Sequence, residues 1–249
     1  MIFRRISSHI REQNWFGLFL DLFVVVIGIF LAFQVDRWYE NIRLQDNVNE
    51  RLTALAKDFA NNRDLYQGYL DGTIAFANAA SMLLTHDFEN SDEIDHEEFY
   101  RLLGRTSRTG SPTPVRRAYD ALISTGEIEL IGDETLKADL ASFYALSNEI
   151  AVFMQGAWLF DRNVFEPYVM RELDFTAMLR TMHGSRTQNL DPSREVTQFL
   201  SVVDSHEFRA VIAIKWHIFI DVGDMLERNL VHIESIEVRI DENLDLPAK

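Results

Sequence analysis

The sequence predicts an all-α fold, with an N-terminal transmembrane helix continuous with a long helix of an extracytoplasmic helical bundle. Three observations predict it. Trp15 to Phe33, WFGLFLDLFVVVIGIFLAF, is apolar apart from Asp21. As a helix it is long enough to cross a hydrocarbon core of roughly 30 Å. Apolar residues then recur at helical spacing through most of the remaining chain. Glycine and proline are scarce, 11 and 5 in 249 residues, too few to punctuate a turn-rich β fold.

The predicted organisation is a cytoplasmic segment over residues 1–14, a transmembrane helix over 15–35 and an extracytoplasmic α-helical domain over 36–249. Arg4, Arg5 and Arg11 precede the span with Glu12 as the only acid, whereas Asp36, Arg37, Glu40 and Arg43 nearly cancel after it. That bias places the amino terminus in the cytoplasm. Trp15 and Trp38 stand at the two ends, where indoles favour the interface. A cleaved signal peptide is the rival reading. The apolar run is long for one, and Ala32-Phe33-Gln34 continues into Val35-Asp36-Arg37-Trp38 with no A-x-A-like site.

Within the span, Asp21, Gly28 and Ala32 are candidates for helix association. An ionised Asp21 costs roughly 2.5–3.5 kcal/mol at a bilayer centre, which favours either a partner helix or a wet position near the headgroups. Gly28 and Ala32 form a small-xxx-small pair that allows close helix approach. Val48, Leu52, Leu55 and Phe59 continue a seam-like spacing beyond it. The expected partners are the lipid bilayer, through residues 15–35, and a second copy or another membrane protein.

Charge narrows the partners further. Residues 1–43 hold Arg4, Arg5, Arg11, Arg37 and Arg43 against Glu12, Asp21, Asp36 and Glu40, a balance of +1; the rest of the chain carries −16, for a net charge of −15. Such a surface repels nucleic-acid phosphates, so no nucleic-acid partner is expected. The absence of cysteine excludes disulfides, thiolate metal sites and a cysteine nucleophile.

After the anchor, Val48, Leu52, Leu55, Phe59, Tyr66, Leu70, Ile74 and Ala77 predict one helix running to about Leu84. Gly68 and Gly72, one turn apart, each cost about 1 kcal/mol relative to Ala. They mark a close helix contact or a kink. Residues 85–98, THDFENSDEIDHEE, are acidic. Asp87, Glu89, Ser91, Glu93, Asp95 and Glu98 fall at the ligand positions of a calcium loop, but Asp92 replaces its required glycine. The simpler expectation is that Ser91 or Asp92 caps a short helix over 92–103. GRTSRTGSPTP is the clearest loop. Pro114 is expected to start a helix that Gly126 ends, and Asp133 to cap the next. That helix buries Leu136, Leu140, Phe143, Ile150, Met154, Ala157 and Val164, and Pro167 kinks or stops it. Residues 174–194 read as irregular or broken helix. The last helix, 205–244, turns Phe208, Ile212, Phe219, Val222, Leu226, Ile233, Ile236 and Ile240 inward.

No phosphate loop, dinucleotide fingerprint or nucleophile elbow occurs. Glu93 and His96 form one E-x-x-H, whereas a di-iron site needs two. His217 and Asp221 have the spacing of a ligand pair and, more commonly, of a structural helix contact. Trp158, Asp161 and Arg162, like Trp216 and Asp221, mix aromatic and charged groups as pocket-lining or core-edge residues do. No catalytic residue, cofactor or metal is expected.

Two stretches, VVVIGIFLAFQVDRWYENI (24–42) and PVRRAYDALISTGEIELIGDETLKADLASFY (114–144), resemble an uncharacterised bacterial family of single-pass membrane proteins, a domain of unknown function. The resemblance implies a bacterial inner-membrane protein with an amino-terminal anchor and a helical periplasmic domain. It carries over no site. The expected function is a membrane-anchored interaction or scaffold protein without catalysis, self-associating; the alternative is the small-ligand sensing part of a membrane signalling system. The orientation is testable. A reporter active only outside the cytoplasm, fused after Lys249, is expected to be active, and activity of a cytoplasm-only reporter there overturns the reading.

Overall fold

The computed structural model describes residues 15–86, 88, 95–108, 110–187 and 198–245. Among them there is no strand; the fold is all-α. The helices are α1 (Trp15–Thr85), α2 (His96–Thr106), α3 (Arg117–Thr125), α4 (Glu134–Phe160), α5 (Glu166–Glu172), α6 (Phe175–His183), α7 (Gln198–Val203) and α8 (His206–Asp245). The chain divides into two units, one spanning Leu52–Asp245 and one holding the residues up to Arg51, so α1 contributes to both.

In the N-terminal unit, Leu22–Tyr39 has a mean hydropathy of 1.6 and none of it is buried within the chain. It is long and apolar enough to cross a membrane. Trp38 and Tyr39 meet edge to face at 5.5 Å near its end. Amphipathic rings at that point suit a membrane–water boundary.

The C-terminal unit is organised by α4, α8 and the Leu52–Thr85 part of α1. Leu52, Leu55 and Phe59 are fully buried here, with Phe59 meeting Phe143 at 5.0 Å. The seam expected to serve self-association from residue 52 onward is therefore covered by the chain's own helices. Every residue expected inward on α8 is buried. On α4 the expectation holds through Ala157 and fails at Val164, which is exposed while Phe165 is buried. Pro167 explains the shift. It has no N–H for the Asn163 carbonyl, and its ring crowds that oxygen. The helix widens into a π-turn over Asp161–Phe165, in which the Glu166 N–H reaches back to the Asp161 carbonyl. A π-turn adds a residue and rotates everything after it.

Local chemistry corrects the other boundaries. α2 is capped by Asp95, whose carboxylate accepts from the Glu98 N–H at 2.9 Å; Ser91 and Asp92 lie outside the described residues. α3 begins at Arg117 rather than at Pro114, and Arg116 provides no side-chain cap. The cap comes from α1: Asp58 accepts from the Ala118 N–H at 2.9 Å. Asn62 holds the preceding segment through Val115, accepting from its N–H at 2.7 Å and donating to its carbonyl at 2.9 Å. Gly126 ends α3 at φ +74, a left-handed conformation that glycine adopts freely. Asp133 caps α4 as expected, accepting from Thr135 and Leu136. The stretch expected to be irregular or broken helix contains one short helix, α6, which Asp174 caps through Thr176 and Ala177. Its 9 residues are too few for the periodicity to show.

The glycines also sort differently. At Gly68 a Cβ would meet nothing within 4 Å, and at Gly72 only Phe76 of the same helix. Among the described residues no other helix packs closely there. The close crossing is at Gly104 on α2, where a Cβ would stand 2.8 Å from Met182 and 3.2 Å from Thr181 of α6.

At the centre of the unit, Ser147 of α4 joins three helices. Its hydroxyl accepts from Tyr66 of α1 at 2.6 Å and from Asn229 of α8 at 2.9 Å, and donates to the Phe143 carbonyl at 2.7 Å. That fills the capacity of a hydroxyl. Burial raises the Tyr66 pKa above 10.0, while its hydrogen bonds with Ser147 and Asn229 pull the other way. The stability this neutral phenol contributes is present below that value and is lost as pH rises through the folded-state pKa. Ser147→Ala strands two buried donors, each at about 1–3 kcal/mol. A loss of about 2–4 kcal/mol by denaturant unfolding is expected; an unchanged midpoint would remove Ser147 from the centre of the fold.

Candidate functional site

The unoccupied faces of Gly68 and Gly72 open onto a groove of about 740 Å³ in the C-terminal unit. Asp64, Gly68 and Gly72 follow one another at four-residue spacing along α1, so they share a face and form one side of it. Thr73 and Phe76 continue that side. Met154 and Trp158, one turn apart on α4, form the other, and Phe219 and Val222 of α8 lie at the base. The segment after α2 closes one edge with Ser107, Arg108 and Gly110. A Cβ at Gly110 would sit 3.7 Å from the Tyr69 ring, so this segment rests directly on α1.

The groove is apolar below and polar at its rim. Phe219 and Val222 are each 3% exposed and Met154 6%, whereas Trp158 is 51% exposed. The Arg162 guanidinium lies over the Trp158 indole at 5.7 Å and pairs with Glu166 at 3.4 Å. This stacks a cation on the outer side of the groove wall. Asp64 and Arg108 are exposed rim charges of opposite sign. Ser107 is spent within the fold, donating to the Gly104 carbonyl at 2.8 Å. Thr73 is 7% exposed, and a Cβ at Gly223 would stand 3.8 Å from its methyl; its hydroxyl has no hydrogen-bond partner among the described residues.

Next to the base lies a buried ion pair. Lys215 Nζ is 2.6 Å from Asp161 Oδ1, with the two side chains 0% and 5% exposed. The ammonium also faces the rings of Phe219 at 5.0 Å and Phe165 at 5.5 Å. Burial lowers the Lys215 pKa, and Asp161 draws it part of the way back. A lysine whose folded pKa lies below its free value contributes stability above about 10.4, lost as pH falls through the folded value. The charged form of Lys215 is therefore a net cost that Asp161 limits. Because Phe219 also forms the groove base, the pair fixes the junction between the π-turn and the groove.

Of the residues singled out in the sequence, Trp158 lines the groove, Arg162 stacks on its indole, and Asp161 pairs with Lys215 next to the base. His217 and Asp221 form an exposed contact of 3.4 Å across one turn of α8, away from the groove lining. Asp87, Glu89, Ser91 and Glu93 lie outside the described residues, while Asp95 is engaged as a cap and Glu98 pairs with Arg101. In the other unit, Gly28 and Ala32 are exposed and line a shallow depression with Ile29 and Tyr39. Asp21 lies on α1, with its side chain outside those described.

Sequence reasoning misses Lys215, although a signal for it is present. It stands three residues after Ile212 and four before Phe219, inside the buried row of α8. A lysine in an apolar row calls for a buried acid opposite. The groove itself has no such signal, since its glycines read equally well as a helix contact.

No protein-family model, curated protein or solved structure matches the chain.

The ion pair yields a testable consequence. Lys215→Met alone leaves a buried carboxylate and is expected to cost about 3–5 kcal/mol. Adding Asp161→Leu is expected to recover most of that loss in chemical denaturation. A double variant no more stable than the single one would mean that the pair does not act as a unit.

Proposed function

We propose that this protein is a membrane-anchored, non-catalytic binding module whose helical domain holds a small ligand in the groove between α1, α4 and the segment after α2. The observation that carries this reading is the glycine pair lining the groove. Gly68 and Gly72 each cost about 1 kcal/mol in a helix, and among the described residues no neighbouring helix uses the space they leave. A groove with an apolar base and few polar groups is the form small-molecule sites take. The anchor over 15–35 would hold the domain at a bacterial inner membrane, facing the periplasm.

A second reading, self-association, rests on the N-terminal unit. Gly28 has nothing within 4 Å of a would-be Cβ, and Ala32 lies in the same depression. Close packing is what holds helices together in lipid. Both readings are compatible, since one concerns the anchor and the other the domain.

Native mass spectrometry of the full chain, extracted in mild detergent, is expected to show a small molecule on the wild type and none on Gly72→Leu. Identical masses on both, after allowing for the substitution, overturn the groove reading. Cysteines at position 24, 28 or 32 are expected to crosslink in membranes if the anchor self-associates, and Gly28→Leu to abolish it; no crosslink at any of them removes the second reading.

A further inference from the structure

We infer that the groove is selective for a small amphiphile with an aromatic body and a carboxylate, held by Arg108 and Thr73. The inference rests on the groove being a ligand site and names the class of that ligand. Three observations converge on it. The first is shape. Gly68 and Gly72 expose the α1 backbone, so a flat body can lie closer to the helix than side chains elsewhere permit. The second is the wall. Trp158 is half-exposed toward the groove, and Phe76 and Phe219 meet at 5.6 Å beneath it. Offset and edge-to-face aromatic contacts favour a ring over a saturated chain.

The third is the polar pattern. Arg108 borders the groove and makes no ion pair among the described residues, in a chain whose net charge is −15. A guanidinium with its fork of donors open matches a carboxylate in both shape and charge. Thr73, more than nine-tenths buried, has a hydroxyl that lacks a hydrogen-bond partner among the described residues. That oxygen is not sealed from solvent and Thr73 lines the groove, so a ligand oxygen there can hydrogen-bond with it. Asp64 sits on the rim one turn before Gly68, whereas Arg108 follows Ser107, whose hydroxyl meets Met182 at 3.3 Å. The two rim charges thus belong to different elements. A carboxylate is repelled at Asp64 and attracted at Arg108, which gives the ligand one orientation.

The test uses the full chain in detergent, titrated calorimetrically with 1-naphthaleneacetate, 1-naphthaleneacetamide and 1-naphthylmethylammonium. These share a ring system and differ in charge. Gly72→Leu, which fills the groove, reports partition into the micelle. The carboxylate is expected to bind wild type about tenfold more tightly than the amide, and the ammonium more weakly than either. Arg108→Gln is expected to remove most of the carboxylate's advantage, about fivefold given the exposure of the guanidinium, and to leave the amide unchanged. Thr73→Val is expected to weaken both. If the three probes bind wild type equally, or Arg108→Gln has no effect, the carboxylate assignment is wrong while the groove reading stands. If the ammonium binds most tightly, Asp64 is the anchor and the class is reversed. If Gly72→Leu binds all three as wild type does, both the assignment and the groove reading fall.

Discussion

One hydroxyl group ties the domain together. Ser147 accepts from Tyr66 and Asn229 and donates to the Phe143 carbonyl, so α1, α4 and α8 meet at a single satisfied oxygen. Apolar packing alone tolerates exchange and sliding, because one apolar contact of suitable volume replaces another. A hydroxyl with both its acceptor directions and its proton in use does not. The surrounding rings then follow. Phe143 meets Tyr66 at 5.4 Å and Phe59 at 5.0 Å, and Tyr119 stacks on Tyr144 at 4.3 Å.

The same logic runs the length of the α4–α8 contact. Arg239 and Asn243 reach Asp133 at 3.2 Å each, and Ser235 donates to Asp139 at 2.7 Å. Asn229 meets Ser147, and Lys215 meets Asp161. Position along α8 falls as position along α4 rises, with one polar pair marking each stage. Only one antiparallel register satisfies them all. Asp133 shows what this does to a charge. Burial tends to raise its pKa, but the Leu136 N–H, Asn243 and Arg239 outweigh that and lower it. One carboxylate therefore serves as both helix cap and register mark.

Much of this fold is legible in the chain's local patterns. Length, apolarity and the scarcity of glycine and proline give the apolar N-terminal helix and the helical class. The periodicity of α8 gives the apolar row from Phe208 to Ile240, though not the buried Lys215 within it. The residue-level differences lie where a partner distant in sequence decides the outcome. Asp58 caps α3 from 60 residues away, so no local pattern could place the start of that helix. Gly104 rather than Gly68 marks the tight crossing, because a glycine's sequence context does not reveal what stands opposite. Pro167 marks a disturbance, but a stop, a kink and a π-turn are equally consistent with one proline. Of the candidate site, Trp158 stands out in the sequence as an aromatic among charges. The groove itself arises from the placing of α1, α4 and α8 together with the segment after α2, which no single stretch encodes.

The π-turn has a consequence for which changes this chain can accept. Ala157, Asp161, Phe165 and Val169 are all buried and follow at intervals of four. In an ordinary helix that spacing drifts by about 40° at each step, on the order of 120° over the whole run; the wider turn takes up part of the excess. The side chains before and after it therefore share a buried face only because the turn widens to hold an extra residue. Substitutions within Asp161–Phe165 alter contacts one at a time. Regular winding over the same residues would swing α5 by roughly 120° and carry Val169 out of the core, whereas deleting one residue would put Val169 about 20° from three whole turns after Ala157 and keep it inside. The wider turn thus holds one residue more than the buried face needs.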